Sequence, residues 1–156
     1  MGWFLPFRSA NMGGTPSTPV FAVGDAMDKL PDLLTDLAIS DTPSGRLDRE
    51  VGRMLGWKLV GLMWQSPDHE RHVWLPRWTA STDAALTLVP AGTSYLLGHS
   101  TGGGTFAYVG EPVEPRKEAR AQTLPMAVVS AALRHRFAVE LELRKAVPAP
   151  ATAPPE

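Results

Sequence analysis

The chain has 156 residues, 44% of them hydrophobic, with no cysteine and a formal net charge of −1 at pH 7. Those values fit one globular domain and exclude disulfides, thiolate metal sites and a cysteine nucleophile. They also exclude a bulk electrostatic pull toward nucleic acid or an anionic membrane, so that either would have to bind at a local patch.

Met1 to Phe7 are apolar, yet the run is too short for a secretory signal and lacks its positive start. Pro6 stands where a myristoylation motif behind Gly2 requires Ser or Thr. No stretch approaches the roughly 20 apolar residues of a membrane span, and a soluble cytoplasmic protein is expected. Residues 8–20 are rich in Gly, Ser, Thr and Pro, so 1–24 read as a flexible leader in which Met12, like Met27 beyond it, is an alternative start. The Ala/Pro run of 146–156 reads as a disordered tail, which leaves a single domain over 25–145.

From Asp28 onward Leu30, Leu33, Leu34 and Leu37 recur at helical spacing, and Pro31 fits only a first turn, which makes Asp28 the expected N-cap. A second helix follows the turn DTPSG, its stripe formed by Leu47, Val51, Met54 and Leu55 and its end marked by Gly56. WKLVGLMW and RHVWL then read as two strands of a hairpin turning at QSPDHE. Thr79 or Ser81 caps a third helix through DAALTLV, stopped by Pro90 and Gly92. TSYLLGH and TFAYVG flank STGGG as a second hairpin. A long last helix begins at Thr123 and buries Val129, Ala132, Leu133, Phe137 and Leu141, with Arg136, Glu140 and Arg144 on its wet face. The expected fold is α/β of the α+β type: a four-stranded, largely antiparallel sheet of two hairpins packed with helices, in the order ααββαββα.

One motif spells a chemistry. Gly98-His99-Ser100-Thr101-Gly102 fits the G-x-S-x-G nucleophile elbow, and Glu111, Glu114 or Glu118 followed by His135 would complete a serine hydrolase triad in chain order. The context argues for a hairpin turn instead, because three consecutive glycines cannot start the helix that an elbow needs. His69, His72 and His99 lack diagnostic metal spacing and read as polar residues at turns. Gly102 to Gly104 lack the Lys-Ser/Thr of a phosphate loop. No cofactor, metal or catalytic residue is expected.

Trp57, Trp64, Trp74 and Trp78 interleave with Lys58, Arg71, His72 and Arg77. Trp57 is expected in the core behind Gly56, and Trp64 is expected to face Trp74 across the first hairpin. Trp64, Arg71, Trp74, Arg77 and Trp78 are the candidate partner-binding residues, since Trp with Arg is the favoured pairing of interface hot spots. The same mixture can stack single-stranded nucleic acid, which is the alternative reading. Asp25, Asp28, Asp32, Asp36, Asp41, Asp48 and Glu50 crowd the first two helices, where acids match N-terminal helix dipoles or form an acidic docking face.

DLLTDL followed by LDREVGRMLGW, then TASTDAALTLVP, then LPMAVVSAALR stand in an order and spacing that resemble a family of small phage and prophage domains, the phage α-β-α sandwich, over roughly residues 28 to 135. Thr82 departs from the apolar residue expected before DAAL, and the last helix runs past Arg136. The resemblance implies a layered α/β fold of phage or prophage origin and carries no catalytic residues to transfer. The expected function is a non-enzymatic accessory protein that binds a host or phage protein, modulation of host defence being one form of it.

Overall fold

A computed structural model describes residues 23–110 and 118–146. Four helices, α1 (Val23–Ile39), α2 (Gly45–Met54), α3 (Thr82–Leu86) and α4 (Leu124–Ala146), are interleaved with six strands: β1 (Lys58–Val60), β2 (Met63–Gln65), β3 (Arg71–His72), β4 (Tyr95–His99), β5 (Thr105–Val109) and β6 (Ala119–Ala121). The strands form two separate antiparallel sheets, ordered β1-β2-β3 and β4-β5-β6, where the sequence predicts one four-stranded sheet. The chain is therefore α+β in the order ααβββαβββα.

The first correction comes from a glycine. WKLVGLMW is not one strand: Gly61 takes φ 65° and, with Leu62, turns the chain back so that Val60 opposes Met63 and Leu59 opposes Trp64. Positive φ at the first of two turn residues and not at the second is the pattern of a type II′ hairpin, the conformation that only Gly enters without cost. Ser66 to Glu70 then form the second turn of this sheet, where the Ser66 N–H donates to the Glu70 carbonyl at 2.9 Å.

The helices follow their signals more closely. Ser44 caps α2 by accepting the Arg46 N–H at 3.2 Å, Leu47, Val51 and Leu55 are buried, and Gly56 takes φ 88° just past the end. Ser81, not Thr79, caps α3, which is only five residues long. The start of α1 lies ahead of the expected Asp28, at Val23, so that Pro31 falls inside the helix. Pro31 is exposed, and the backbone bond it deletes faces water rather than the core.

Helix α4 is the centre of the domain's packing. Every residue from Met126 to Leu133 is buried, because β5, β6, α1 and α3 all pack against it. Such a helix is small and apolar all round, and here it runs MAVVSAAL. On β5 the alternation is strict: Thr105, Ala107 and Val109 are buried against α4, and Phe106 and Tyr108 lie on the opposite face. The strand β6, which sequence reasoning missed, consists of ARA; Ala119 and Ala121 are buried where α1 and α4 leave room for a methyl group. Leu141, expected in the buried stripe, is exposed because α4 outruns the sheet beneath it.

Candidate protein-binding site

The sheet β1–β3 touches the rest of the domain through an aromatic stem. The ring of Trp78 is 2% exposed and meets Trp57 edge-on at 5.8 Å, and Trp57 in turn packs on His72 at 5.1 Å. Gly52 of α2 makes the stem fit: a Cβ added there would lie 3.3 Å from Leu75 and 3.5 Å from the Trp78 ring. A buried polar clamp stands beside it. The Thr79 N–H donates to Asp48 Oδ1 at 2.8 Å, and the Thr79 hydroxyl accepts the Ser44 N–H at 3.2 Å. Asp48 Oδ2 has Arg77 Nε 4.0 Å away, on a side chain that is largely exposed.

From this stem the sheet projects apolar residues into solvent. Leu62 at the tip of the β1–β2 turn is 94% exposed, Trp74 is 81% exposed, and Leu59, Val60 and Val73 are exposed as well. Exposed apolar residues gathered on one small element mark an interaction surface, whereas scattered ones do not. Arg71 and Arg77 are exposed as well.

The five candidate residues do not form one patch. Trp78 belongs to the core. Trp64 is half-buried and sits opposite His72 rather than Trp74, so that Leu59, Trp64 and His72 share one face while Lys58, Gln65 and Arg71 share the other. Trp74 lies beyond the end of β3 and makes no cross-strand pair. The exposed members are thus Arg71, Trp74 and Arg77, and Leu59, Val60, Leu62 and Val73, which sequence reasoning did not select, are exposed on the two faces and the turn of the same sheet. The isolated glycine in VGLM was the available signal, since Gly inside a strand pattern marks a bulge or turn.

The GHSTG serine occupies the β4–β5 turn, where the Ser100 N–H donates to the Gly104 carbonyl at 3.1 Å. His135 lies at the other end of the hairpin, its Nδ1 3.0 Å from the position of a Cβ on Gly110, which itself donates to Ser94. Five strand residues, six Cα steps or about 20 Å, separate the two ends. Ser100 and His135 are not brought together, and Glu111 and Glu114 lie outside the described residues. Glu118 is engaged elsewhere: it accepts the Tyr108 hydroxyl at 2.5 Å and an ion-paired bond from Arg120. His69 and His72 belong to the first sheet and its turn, His99 to the second, and among the described residues no three metal-ligating side chains converge.

The Tyr108 bond, and after it the Arg120 bond, hold the Glu118 carboxyl below the usual range, and the same bond to Glu118 raises the Tyr108 phenol. A carboxyl lowered by folding adds stability above its unfolded value, about pH 4.3, and loses it as pH falls through the folded value. Tyr108→Phe removes the largest cause. Its urea midpoint therefore falls less steeply below about pH 4.3 than that of the wild type; an equally steep fall would show that Glu118 gains nothing from the tyrosine.

No family model, curated protein or solved structure matches the chain. Among the described residues no helix is long and apolar enough to cross a membrane.

Proposed function

We propose that the protein binds another protein through the projecting β1–β3 sheet, as a non-enzymatic accessory protein of phage or prophage type. The observation that carries this reading is the exposure of Leu62 and Trp74 on an element whose stem rests on the buried Trp78. A stem packed on the core lowers the entropy lost on binding, and an exposed tryptophan three residues along the chain from each of Arg71 and Arg77 has the composition of a hot spot with cations near it in sequence. The phage lineage rests on the ordered segments from DLLTDL to LPMAVVSAALR. A stacking platform for nucleic acid on this sheet has less support, because Trp78 is core and Trp64 sits opposite His72 rather than Trp74, so that the tryptophans do not line up on one face.

Affinity capture of the tagged full chain from a host lysate, with and without nuclease, tests the reading. A specific protein is retained after nuclease, and Trp74→Ala and Leu62→Ser each weaken its binding by about tenfold or more. Retention that depends on nucleic acid, or a retained protein indifferent to both substitutions, would refute it.

A further inference from the structure

The second sheet carries the feature that the tryptophans of the first do not form. Sheet β4–β5–β6 has α4 on one face, and on the other its central strand presents Phe106 and Tyr108, two rings at alternate positions. Neither ring belongs to the core cluster. Their centroids are 5.9 Å apart at an interplanar angle of 74°.

Both rings are held in place by the strands beside them. Gly98 lies directly opposite Phe106, and a Cβ added to Gly98 would fall 2.4 Å from the tip of the ring, so the ring lies down across a strand that has no side chain there. Phe106 and Tyr108 are both half-buried, so neither ring is sealed in the core. Tyr108 is fixed by its bond to Glu118, and the half-exposed Leu96 stands opposite it.

Cations border the rings. Arg120 stands opposite Phe106 on β6 with its side chain 74% exposed, and Arg134 reaches from α4 to the Glu118 carbonyl at 3.2 Å. The Glu118 carboxylate is engaged by Arg120 and by the Tyr108 hydroxyl, so among the described residues this edge of the sheet holds two guanidinium groups against one carboxylate. Aromatic faces on a central strand with cations at the edge match a ligand made of flat bases on an anionic backbone.

We propose that this open face binds single-stranded nucleic acid, with bases stacked on Phe106 and Tyr108 and phosphates held by Arg120 and Arg134. The site is separate from the protein-binding sheet and does not depend on it. With so few cations, binding is weak and confined to a few nucleotides. It tolerates sequence, because every base has a π face.

The test is fluorescence anisotropy of labelled oligothymidine and oligouridine with the full chain, from low to moderate salt. The folded wild type binds, and binding weakens as salt rises. Phe106→Ala and Tyr108→Ala each weaken it by about tenfold, and Arg120→Ala weakens it while lowering the salt slope by about one. Lys29→Ala on α1 leaves affinity and slope unchanged. Phe106→Leu keeps apolar volume without an aromatic face and must lose affinity too, which covers the case in which the alanine variant unfolds. Absence of binding by the folded wild type at low salt, or affinity indifferent to Phe106→Leu and Tyr108→Ala, overturns the proposal. Equal loss on Trp74→Ala would place the bases on the first sheet and overturn it as well.

Discussion

Trp78→Ala lowers the stability of the domain by about 3–5 kcal/mol, the largest effect expected of any single substitution here. Trp78 heads the fully buried side chains by volume, and alanine leaves a cavity whose walls cannot close. One wall is the backbone of α2 at Gly52, and another is Trp57, itself pinned by His72. Trp78→Phe is the control. The indole Nε1–H is buried with no hydrogen-bond partner, so phenylalanine gives up volume but also removes an unsatisfied donor, and the net loss is about 1 kcal/mol. Urea unfolding of the two variants decides the matter, and an alanine variant within about 1 kcal/mol of the wild type would contradict the packing described. Trp78 also roots the first sheet. Amide exchange in β1 to β3 therefore speeds up in the alanine variant more than exchange in β5.

Asp48→Ala costs about 2–3 kcal/mol, and Asp48→Asn about half as much. The reason is geometric: Oδ1 is the acceptor for the Thr79 N–H, and both groups are buried. Alanine strands that donor where water cannot replace the lost oxygen, whereas asparagine keeps that oxygen in place and gives up the charge, with an NH2 group where Oδ2 stood. Asp48 also sits in the first turn of α2, where a negative charge is favoured by the helix dipole. Thermal unfolding reads the difference as a fall of roughly 10 °C for alanine and about half that for asparagine. Equal falls for the two variants would show that the oxygen at this position contributes nothing.

These two residues illustrate how unevenly the site could be read from the chain. Trp78 stood among the candidate contact residues because Trp beside Arg resembles a hot spot; which side of the chain it faces depends on Gly52, twenty-six residues earlier. Asp48 read as one of seven acids on solvated helices. Its burial depends on Thr79, thirty-one residues away, and no local pattern carries that distance. Leu62 looked like one more apolar residue in a strand. Only the turn at Gly61 turns it outward, and the competing reading, a longer strand with a tolerated glycine, has the same composition.

Where the signal is local the chain was legible. The stripe of α2 and its terminal glycine, the GGG turn between β4 and β5, and the buried half of α4 all follow from spacing and backbone preference, and neighbours in sequence suffice to enforce them. The stretch ARA shows the opposite case. It has poor strand propensity, and it is a strand because β5 offers hydrogen bonds on one side while α1 and α4 leave space only for methyl groups.

The sequence by itself determined an α+β domain with four helices and antiparallel strands, no cysteine chemistry, and a cluster of aromatic and cationic residues between positions 57 and 78. Tertiary structure alone decided that the strands divide into two sheets and that α4 is packed by β5, β6, α1 and α3 together. It also decided which aromatics are buried and which are bare. The physical reason is that propensity and periodicity act over one or two turns of chain, whereas burial is settled by what arrives from elsewhere. Trp78 is covered by α2, and nothing in the described residues covers Trp74, Phe106 or Tyr108 as fully.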